Sequence, residues 1–530
     1  MKNSNTNNPL NKKSTKIDSK KKNMTSSQRF QYYCGDKTFI KTFFKLFLPS
    51  AAQNFLIILI MFLNNLYLAI FCGPEVKTSV ALSDSINSFV ILVLIAWSGG
   101  VAVMMSQYYG SKDYQKTQQV LVYSFASSVT LMLPFMILLA AIPQQLMDLS
   151  SNMDQTTSGA VESTNLEYGR IYLQQMSWAF VPLIFNELMS TGLQSTEKAG
   201  VSLIGATVST VISAIFDPIA IYFTKDNPAL SVLLVVVIDG IGRFCQMAFL
   251  FIYVYVKKYQ PLYFFKKIKV TKEVWTKTFK YGLPSFLNDF FFAILWTIQT
   301  LCIFNYSADV THYNDILGQK EFGNIQNAAT NVTLLIQFAN VIWPGIAAAI
   351  AIQVGSYLGE GRIEEAKLNA RRSWFWSFVI SMTIVLLMFG ASWGINDVLN
   401  LGGEAWINKL SMYMEWAILP SILSQGIFSI NYYSVKSGGN KYIAVFDSGI
   451  MLIWTAIMAG LTFSGSLQSI HPALYMFMIQ IDQIIRMIVS SIVFKYANWA
   501  RNLTIEQEEK SLKDTFKEFK NKISKPIKNE

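Results

Sequence analysis

The chain has 530 residues, of which 52% are hydrophobic and 15% are charged. Because ordinary soluble domains carry about 25% charged residues, this composition excludes a disordered chain, a coiled coil and most soluble enzymes, and it predicts a polytopic membrane protein. The formal net charge is +11, and in such a protein the positions of Lys and Arg indicate the orientation in the membrane.

Twelve apolar stretches are each long enough to cross a bilayer as an α-helix, which takes about 20 residues. They are continuous apolar runs rather than short alternating segments, which is typical of helices and not of barrel strands. We number them spans 1 to 12, at about 43–71, 86–108, 119–143, 169–192, 201–223, 230–256, 283–305, 332–357, 373–395, 411–434, 442–464 and 472–494.

Basic residues are concentrated on one side of these spans. With the amino terminus in the cytoplasm, most of the 44 Lys and Arg residues lie in cytoplasmic segments, whereas the loop 144–168 on the other side has none. This asymmetry predicts a multi-pass protein of the plasma membrane with both termini in the cytoplasm.

Composition divides the chain into five predicted regions. Residues 1–40 form a polar cytoplasmic segment that is expected to be disordered, and residues 501–530 form a charged cytoplasmic tail. Between them, a six-helix bundle at 41–258 and a second one at 281–500 are joined by a cytoplasmic linker at 259–280.

The two predicted bundles repeat each other in sequence. Each contains an even number of spans, so both have the same orientation. The predicted fold class is an all-α membrane protein with twelve transmembrane helices in two pseudo-symmetric bundles. The matching positions are Leu48–Ser50 with Leu283–Ser285, Gln107–Gly110 with Ser356–Gly359, Trp178–Pro182 with Trp416–Pro420, and Asp239 and Arg243 with Asp482 and Arg486.

Several motifs resemble, in the same order, those of the multidrug and toxic compound extrusion (MATE) family, in particular its bacterial members. They extend over about residues 40–503 and comprise Pro49 with Gln53 and Asn54, Met105–Asp113, Phe216–Pro218, Val354–Arg362 and Asn498–Leu503. The resemblance implies two bundles that form a V. It also implies export of amphipathic, often cationic compounds against an inward H⁺ or Na⁺ gradient.

Asp217, in span 5, is the first candidate for ion coupling. An ionisable residue inside a membrane span is costly and therefore marks a functional site by default, and Pro218 loosens the helix beside it. The resemblance identifies Asp217 with the family's span-5 Asp. It also makes Asn64 and Ser213 the other ion-coupling positions. The family often has Asp at the position of Asn64 and usually has Asn at the position of Ser213. Asp217 therefore acts alone, or coupling lies in the second bundle, or coupling has been lost.

Asp289, in span 7, is the rival candidate. Many bacterial members of the family have Glu here, and an acid that faces a cavity would attract a cationic substrate or bind the coupling ion. The alternative is a residue in the first turn of the helix near the interface, where the helix dipole favours an acid. The substrate cavity is predicted to include Gln53, Asn54, Asn288 and Gln299.

Two pairs of opposite charges are spaced four residues apart inside spans, Asp239 with Arg243 and Asp482 with Arg486. That spacing places both members on one helix face, so each is predicted to form a structural ion pair. Glu187 and Asp447 are closer to the cytoplasmic ends of their spans and are predicted to be solvated.

The predicted function is secondary active efflux of small amphipathic or cationic compounds by H⁺ or Na⁺ antiport with alternating access. The protein is expected to be a monomer that binds its substrate and the lipid bilayer but no nucleic acid. An enzyme is not predicted, because the chain has no P-loop and its scattered Cys and His residues match no metal site. The coupling ion is the only cofactor expected.

Two alternatives remain. The first is a flippase for a lipid-linked precursor, which would need several cationic residues in the cavity to hold a pyrophosphate group. The second is an uncoupled relative of the MATE family, which Asn64 would fit because an amide cannot carry a proton at physiological pH.

Overall fold

The computed structural model describes residues 25–148, 166–266, 268–308, 325–394, 396, 405–439, 442–467 and 469–505. The prediction that residues 1–40 are disordered is wrong from residue 26 onward, because Ser26–Cys34 forms a helix and the helix of span 1 begins at Lys37. The indole of Trp376 in span 9 donates a hydrogen bond to the carbonyl of Cys34 at 2.8 Å, which holds this short helix in place. Residues 1–24 and the tail from 506 onward lie outside the described residues.

The first half of the chain contains spans 1 to 6. Span 2 extends well before its predicted start, because the polar residues that precede the apolar run continue the helix back to Pro74, a residue suited to the first helical position. A 3₁₀ turn at Gln260–Leu262 follows span 6. The helices are Lys37–Cys72, Pro74–Gly110, Tyr114–Ala141, Glu167–Gln194, Ala199–Thr224 and Pro228–Val256.

The second half contains spans 7 to 12, two of which are interrupted. Span 8 consists of Ile325–Asn340, Trp343–Ile350, a π-helical segment at Ala351–Ser356 and Tyr357–Gly359. Span 12 is broken at Gln480 into Pro472–Ile479 and Ile481–Tyr496. Spans 7, 9, 10 and 11 are the continuous helices Lys272–Ala308, Ile363–Trp393, Ala405–Ser437 and Tyr442–Phe463.

Ten helices in the described part of the chain are long and apolar enough to cross a membrane. Spans 4 and 10 are as long but carry more polar residues, and several of those side chains, such as Asn186 and Glu415, are buried inside the bundles. Together these are the twelve predicted spans, so the chain is a multi-pass all-α membrane protein.

The helices of each half pack mainly against one another. Span 5 packs on spans 1 and 6, and span 10 packs on spans 9 and 12. The two halves meet where span 2 packs along span 7 and span 1 packs on span 8. Aromatic rings join spans 2 and 7, with centroid distances of 5.7 Å between Trp97 and Phe286 and 6.1 Å between Phe89 and Phe290.

The closest backbone contacts between the halves come in symmetric pairs. A Cβ atom added at Gly110 would lie 2.0 Å from the carbonyl oxygen of Ser356, and one at Gly359 would lie 2.0 Å from that of Gln107. The sequence repeat aligns Gly110 with Gly359 and Gln107 with Ser356, so each contact is the two-fold image of the other. These contacts lie at the end of the molecule that carries the loops 111–113, 257–271 and 360–362, which we call the basic end.

The carboxyl-terminal segment Ala497–Ile505 also lies at the basic end. The side chain of Gln107 is fully buried and donates to the carbonyls of Ser437 at 2.6 Å and Arg501 at 3.3 Å. Its side-chain oxygen accepts from the backbone N–H of Leu503 at 2.7 Å. The last described residues of the chain therefore join span 2 of the first bundle to span 10 of the second.

Candidate functional site

The predicted ion-coupling residues of the first bundle lie together. Asn64 of span 1 donates its amide to Oδ2 of Asp239 at 3.3 Å, and Ser213 of span 5 donates its hydroxyl to Oδ1 of the same carboxylate at 2.5 Å. Asp217 lies one helical turn beyond Ser213 on the same face of span 5. We call these four buried residues the first cluster.

Asp217 differs from its neighbours in having no hydrogen-bond partner among the described residues. Its side chain is fully buried, and no residue in the described part of the chain donates a hydrogen bond to either carboxylate oxygen. The side-chain oxygen of Asn64 is likewise unpartnered among those residues. Because an ionised carboxylate buried without a partner is costly, this site needs a cation, either a proton or a metal ion, to neutralise it.

The predicted ion pair between Asp239 and Arg243 is not formed. The carboxylate of Asp239 accepts its hydrogen bonds from Asn64 and Ser213. The half-buried guanidinium of Arg243 instead approaches the sulfur of Met176 at 3.9 Å. Helical spacing places Asp239 and Arg243 on one face. The carboxylate of Asp239 nevertheless accepts hydrogen bonds from neutral donors on neighbouring spans and not from Arg243.

In the second bundle, the charges of spans 11 and 12 are paired directly. Arg486 of span 12 contacts Asp447 of span 11 through two guanidinium nitrogens, Nε to Oδ1 and Nη2 to Oδ2, the second at 3.0 Å. Nη1 of Arg486 lies 4.0 Å from Asp482, and all three side chains are buried. The predicted Asp482–Arg486 pair therefore exists beside a bidentate pair with Asp447, and the prediction that Asp447 is solvated is wrong.

Asp289 also has a positively charged partner. Its Oδ2 lies 3.2 Å from Nζ of Lys436 at the end of span 10, and its Oδ1 accepts from the hydroxyl of Tyr432 at 2.9 Å. Asn288 donates to Asp447 at 3.0 Å, which links the two ion pairs. Asp289 lies well inside the helix of span 7, so its alternative interpretation as a first-turn residue is wrong. The second cluster comprises Asn288, Asp289, Lys436, Asp447, Asp482 and Arg486.

The other predicted cavity residues form hydrogen bonds within their own bundles. Gln53 accepts from Ser202 at 2.6 Å and from Gln194 at 3.1 Å. Asn54 donates to a backbone carbonyl of its own helix at 2.8 Å, and Gln299 donates to a threonine of span 11 at 3.0 Å. The bonds of Gln53 and Gln299 join neighbouring helices. A role for these three amides and for Asn288 in binding substrate stays a prediction.

Sequence patterns miss three buried ionisable residues, one of which is Glu415 of span 10. Asp84 precedes the apolar run of span 2, but the helix includes it, and its side chain is buried and interacts with Tyr172 of span 4. The lack of any Gly or Pro between Pro74 and the apolar run is the signal that could have found it. Lys436 looks like an ordinary lysine at a helix end, yet its side chain is only 8% exposed.

Comparisons with known proteins agree with this architecture. Residues 49–219 match the MatE family model. The multidrug export protein MepA of Staphylococcus haemolyticus (strain JCSC1435) is 21% identical over 400 residues, which cover 75% of this chain and 81% of that protein.

Solved structures show the same fold. The eukaryotic MATE transporter AtDTX14 superposes with a TM-score of 0.72 at 14% identity, covering 88% of this chain and 98% of that one. An outward-facing multidrug resistance MATE transporter gives a TM-score of 0.70 at 15% identity, with 89% and 98% covered. The chain therefore has the fold of MATE transporters, and its residues 49–219 are similar to the MatE family model.

Proposed function

We propose that this protein is a secondary active exporter of small amphipathic cations, driven by inward movement of H⁺ or Na⁺ across the plasma membrane. The observation that carries the proposal is Asp217, a fully buried carboxylate without a partner in the described chain. An acid in a membrane span that the protein leaves without a counter-charge is suited to bind and release an ion. The similarity to the export protein MepA supports the direction of transport.

Asp217 and Asp239 take different parts in this proposal. Asp239 is fixed by Asn64 and Ser213, whereas Asp217 is free to take up the coupling ion. Asn64 cannot be protonated, but its free oxygen can serve as a ligand. The carboxylate of Asp217 therefore carries the ion. The amide of Asn64 serves as a ligand at the position where the family often has a second acid.

Alternating access is supported by the way the bundles meet. We place the basic end and both termini in the cytoplasm, because the loops there are rich in Lys and Arg. The contacts of Gln107, Gly110 and Gly359 then close the cytoplasmic side. Rocking one bundle on the other would open that side and close the opposite one, and a single chain suffices because it supplies both bundles.

A flippase is the weaker alternative. A pyrophosphate group needs free cationic side chains. Lys436 and Arg486 are both engaged with carboxylates, and of the three basic residues at the clusters only Arg243 lacks such a partner in the described chain. The balance of the buried charges favours a cationic substrate.

Transport by the purified protein in liposomes tests the proposal. A fluorescent lipophilic cation should be moved when a pH gradient or a Na⁺ gradient is imposed separately. Asp217→Asn should abolish gradient-driven transport, because an amide cannot exchange a proton or neutralise a metal ion, and binding of tetraphenylphosphonium should be retained. Asp226→Asn is the matched control, since Asp226 is exposed in the turn that follows the same helix.

Two results would contradict parts of the proposal. Cation transport by the unmodified protein that ignores both gradients would identify an uncoupled relative. Normal transport by Asp217→Asn, together with loss of transport in Asp289→Asn, would move the coupling site to the second bundle.

A further inference from the structure

We propose that Lys436 is a built-in counter-ion that competes with the cationic substrate for Asp289 and so sets the affinity of the export site. The inference rests on the proposed function, because it takes the substrate to be an amphipathic cation. Its starting point is the 3.2 Å contact between Nζ of Lys436 and Oδ2 of Asp289. The ammonium occupies the position that a cation attracted by this acid would take.

The pair lies where the two bundles meet. A Cβ atom added to Gly99 of span 2 would lie 3.4 Å from Nζ of Lys436 and 3.8 Å from Oδ2 of Asp289. Both groups therefore face the first bundle, although they belong to the second. A movement that separates span 2 from span 7 would uncover both of them together.

The two partners differ in their exposure and in their other contacts. The side chain of Asp289 is 29% exposed, whereas that of Lys436 is 8% exposed. Nζ of Lys436 also lies 5.4 Å and 5.6 Å from the ring centroids of Tyr432 and Tyr433. Because aromatic faces attract an ammonium group, Lys436 keeps favourable contacts when it leaves the carboxylate. Asp289 is thus the accessible acid, and Lys436 is a cation that can be displaced.

The ion pair of Arg486 differs from that of Lys436, because its cation is not readily displaced. Its guanidinium contacts Asp447 through two nitrogens, and the two side chains are only 3% and 4% exposed. A bidentate, desolvated pair is strongly held. Of the three ion pairs in the second cluster, only the one between Lys436 and Asp289 combines a single contact with exposure of the acid.

The surroundings of Asp289 suit a lipophilic cation rather than a small hydrated ion. Phe286 and Phe290 flank it on span 7 and pack against Trp97 and Phe89 of span 2. A cation with apolar substituents could contact these rings while its charge replaces the ammonium, which is the usual pairing of an apolar pocket with one polar group. Na⁺ would gain no apolar contact there.

Binding of tetraphenylphosphonium to the purified full-length protein tests the inference. Lys436→Gln should tighten the dissociation constant about tenfold, because close charge pairs in desolvated sites have coupling energies of at least that size. Lys436→Met, which keeps an unbranched side chain without the charge, is the second variant should the glutamine protein not be recovered. Lys495→Gln is the matched control, since Lys495 also lies in the last turn of its helix but is exposed, and it should leave binding unchanged.

Asp289 must be the site of competition. Asp289→Asn should weaken binding, and adding Lys436→Gln to Asp289→Asn should tighten binding by much less than Lys436→Gln does alone. Unchanged or weaker binding in Lys436→Gln and Lys436→Met would overturn the inference. A gain of the same size without Asp289, or no binding by any variant, would overturn it as well. Tighter binding in Lys436→Gln combined with transport that ignores both gradients would uphold this inference and contradict the proposed coupling.

Discussion

The two clusters compensate buried charge in different ways. In the second bundle, Asp447 and Asp289 each contact a cationic side chain. In the first bundle, Asp239 is held by neutral donors, and Asp217 has no partner in the described chain. Both bundles follow one repeated sequence pattern, so a few substitutions create the difference. The comparison teaches that ion binding is expected where the protein leaves a charge uncompensated, and not simply where acids are most numerous.

The largest effect expected from this comparison is at Arg486. Arg486→Met leaves Asp447 and Asp482 buried without their cation, which should cost about 3–5 kcal/mol of stability. Arg243→Met, the aligned change in the first bundle, should cost less, because Arg243 makes no direct contact with a carboxylate among the described residues and approaches Met176 instead. Thermal unfolding of both proteins in detergent measures the difference. Equal losses of stability would show that Arg243 is as important to its bundle as Arg486 is.

Neutralising an acid should have opposite signs in the two bundles. Asp217→Asn removes an uncompensated buried charge and should leave the protein as stable or more stable, by about 1–3 kcal/mol. Asp447→Asn leaves Arg486 without its main partner and should be destabilising. The unfolding temperatures of the two variants, compared under the same conditions, check the signs. Destabilisation by Asp217→Asn would mean that its charge is compensated by a group outside the described residues.

A smaller effect is expected at the basic end, where the bundles are joined. Gln107→Leu leaves the carbonyls of Ser437 and Arg501 and the N–H of Leu503 without their side-chain partner, at a cost of about 1–3 kcal/mol. Amide hydrogen exchange at Ala497–Ile505 should become faster. Exchange that is unchanged would show that this segment is held by its other contacts alone.

The smallest effect is expected at Ser213. Ser213→Ala removes one of the two donors to Asp239 and should cost about 0.5–1.5 kcal/mol, since Asn64 remains. The second bundle offers a comparison in Ser448, whose hydroxyl donates to Asn288 at 2.6 Å. If the first cluster serves ion binding, Ser213→Ala should change the dependence of transport on the driving ion, and Ser448→Ala should change stability alone.

The sequence predicts the fold well because each membrane span requires a long apolar run, and within the bilayer such a run can only form a helix. It also predicts that Asp217, Asn64 and Ser213 belong to one site, through resemblance to a family. It does not predict which residue each charge contacts. Arg486 has an acid four residues earlier on its own helix but makes its closest contacts with Asp447 on span 11.

Helical spacing explains this limit. It shows which residues share a face, but not which neighbouring helix that face meets or at what height. Lys436 illustrates the point, because its contact with Asp289 depends on the position of span 10 relative to span 7. The break in span 12 likewise depends on packing, since the residues at Gln480 contain no helix-breaking type, whereas Pro344 marks the break in span 8.

The contacts of Gln107 have a consequence for how the protein is made. Its partner Leu503 is synthesised 396 positions later, after every span has been synthesised. Because chains emerge from their amino terminus, Gln107 enters the membrane with a side chain whose partners do not yet exist. The helices are therefore synthesised before the contacts that close the basic end can form. A chain that stops at Tyr496 would possess every span and still lack the residues that seal that end.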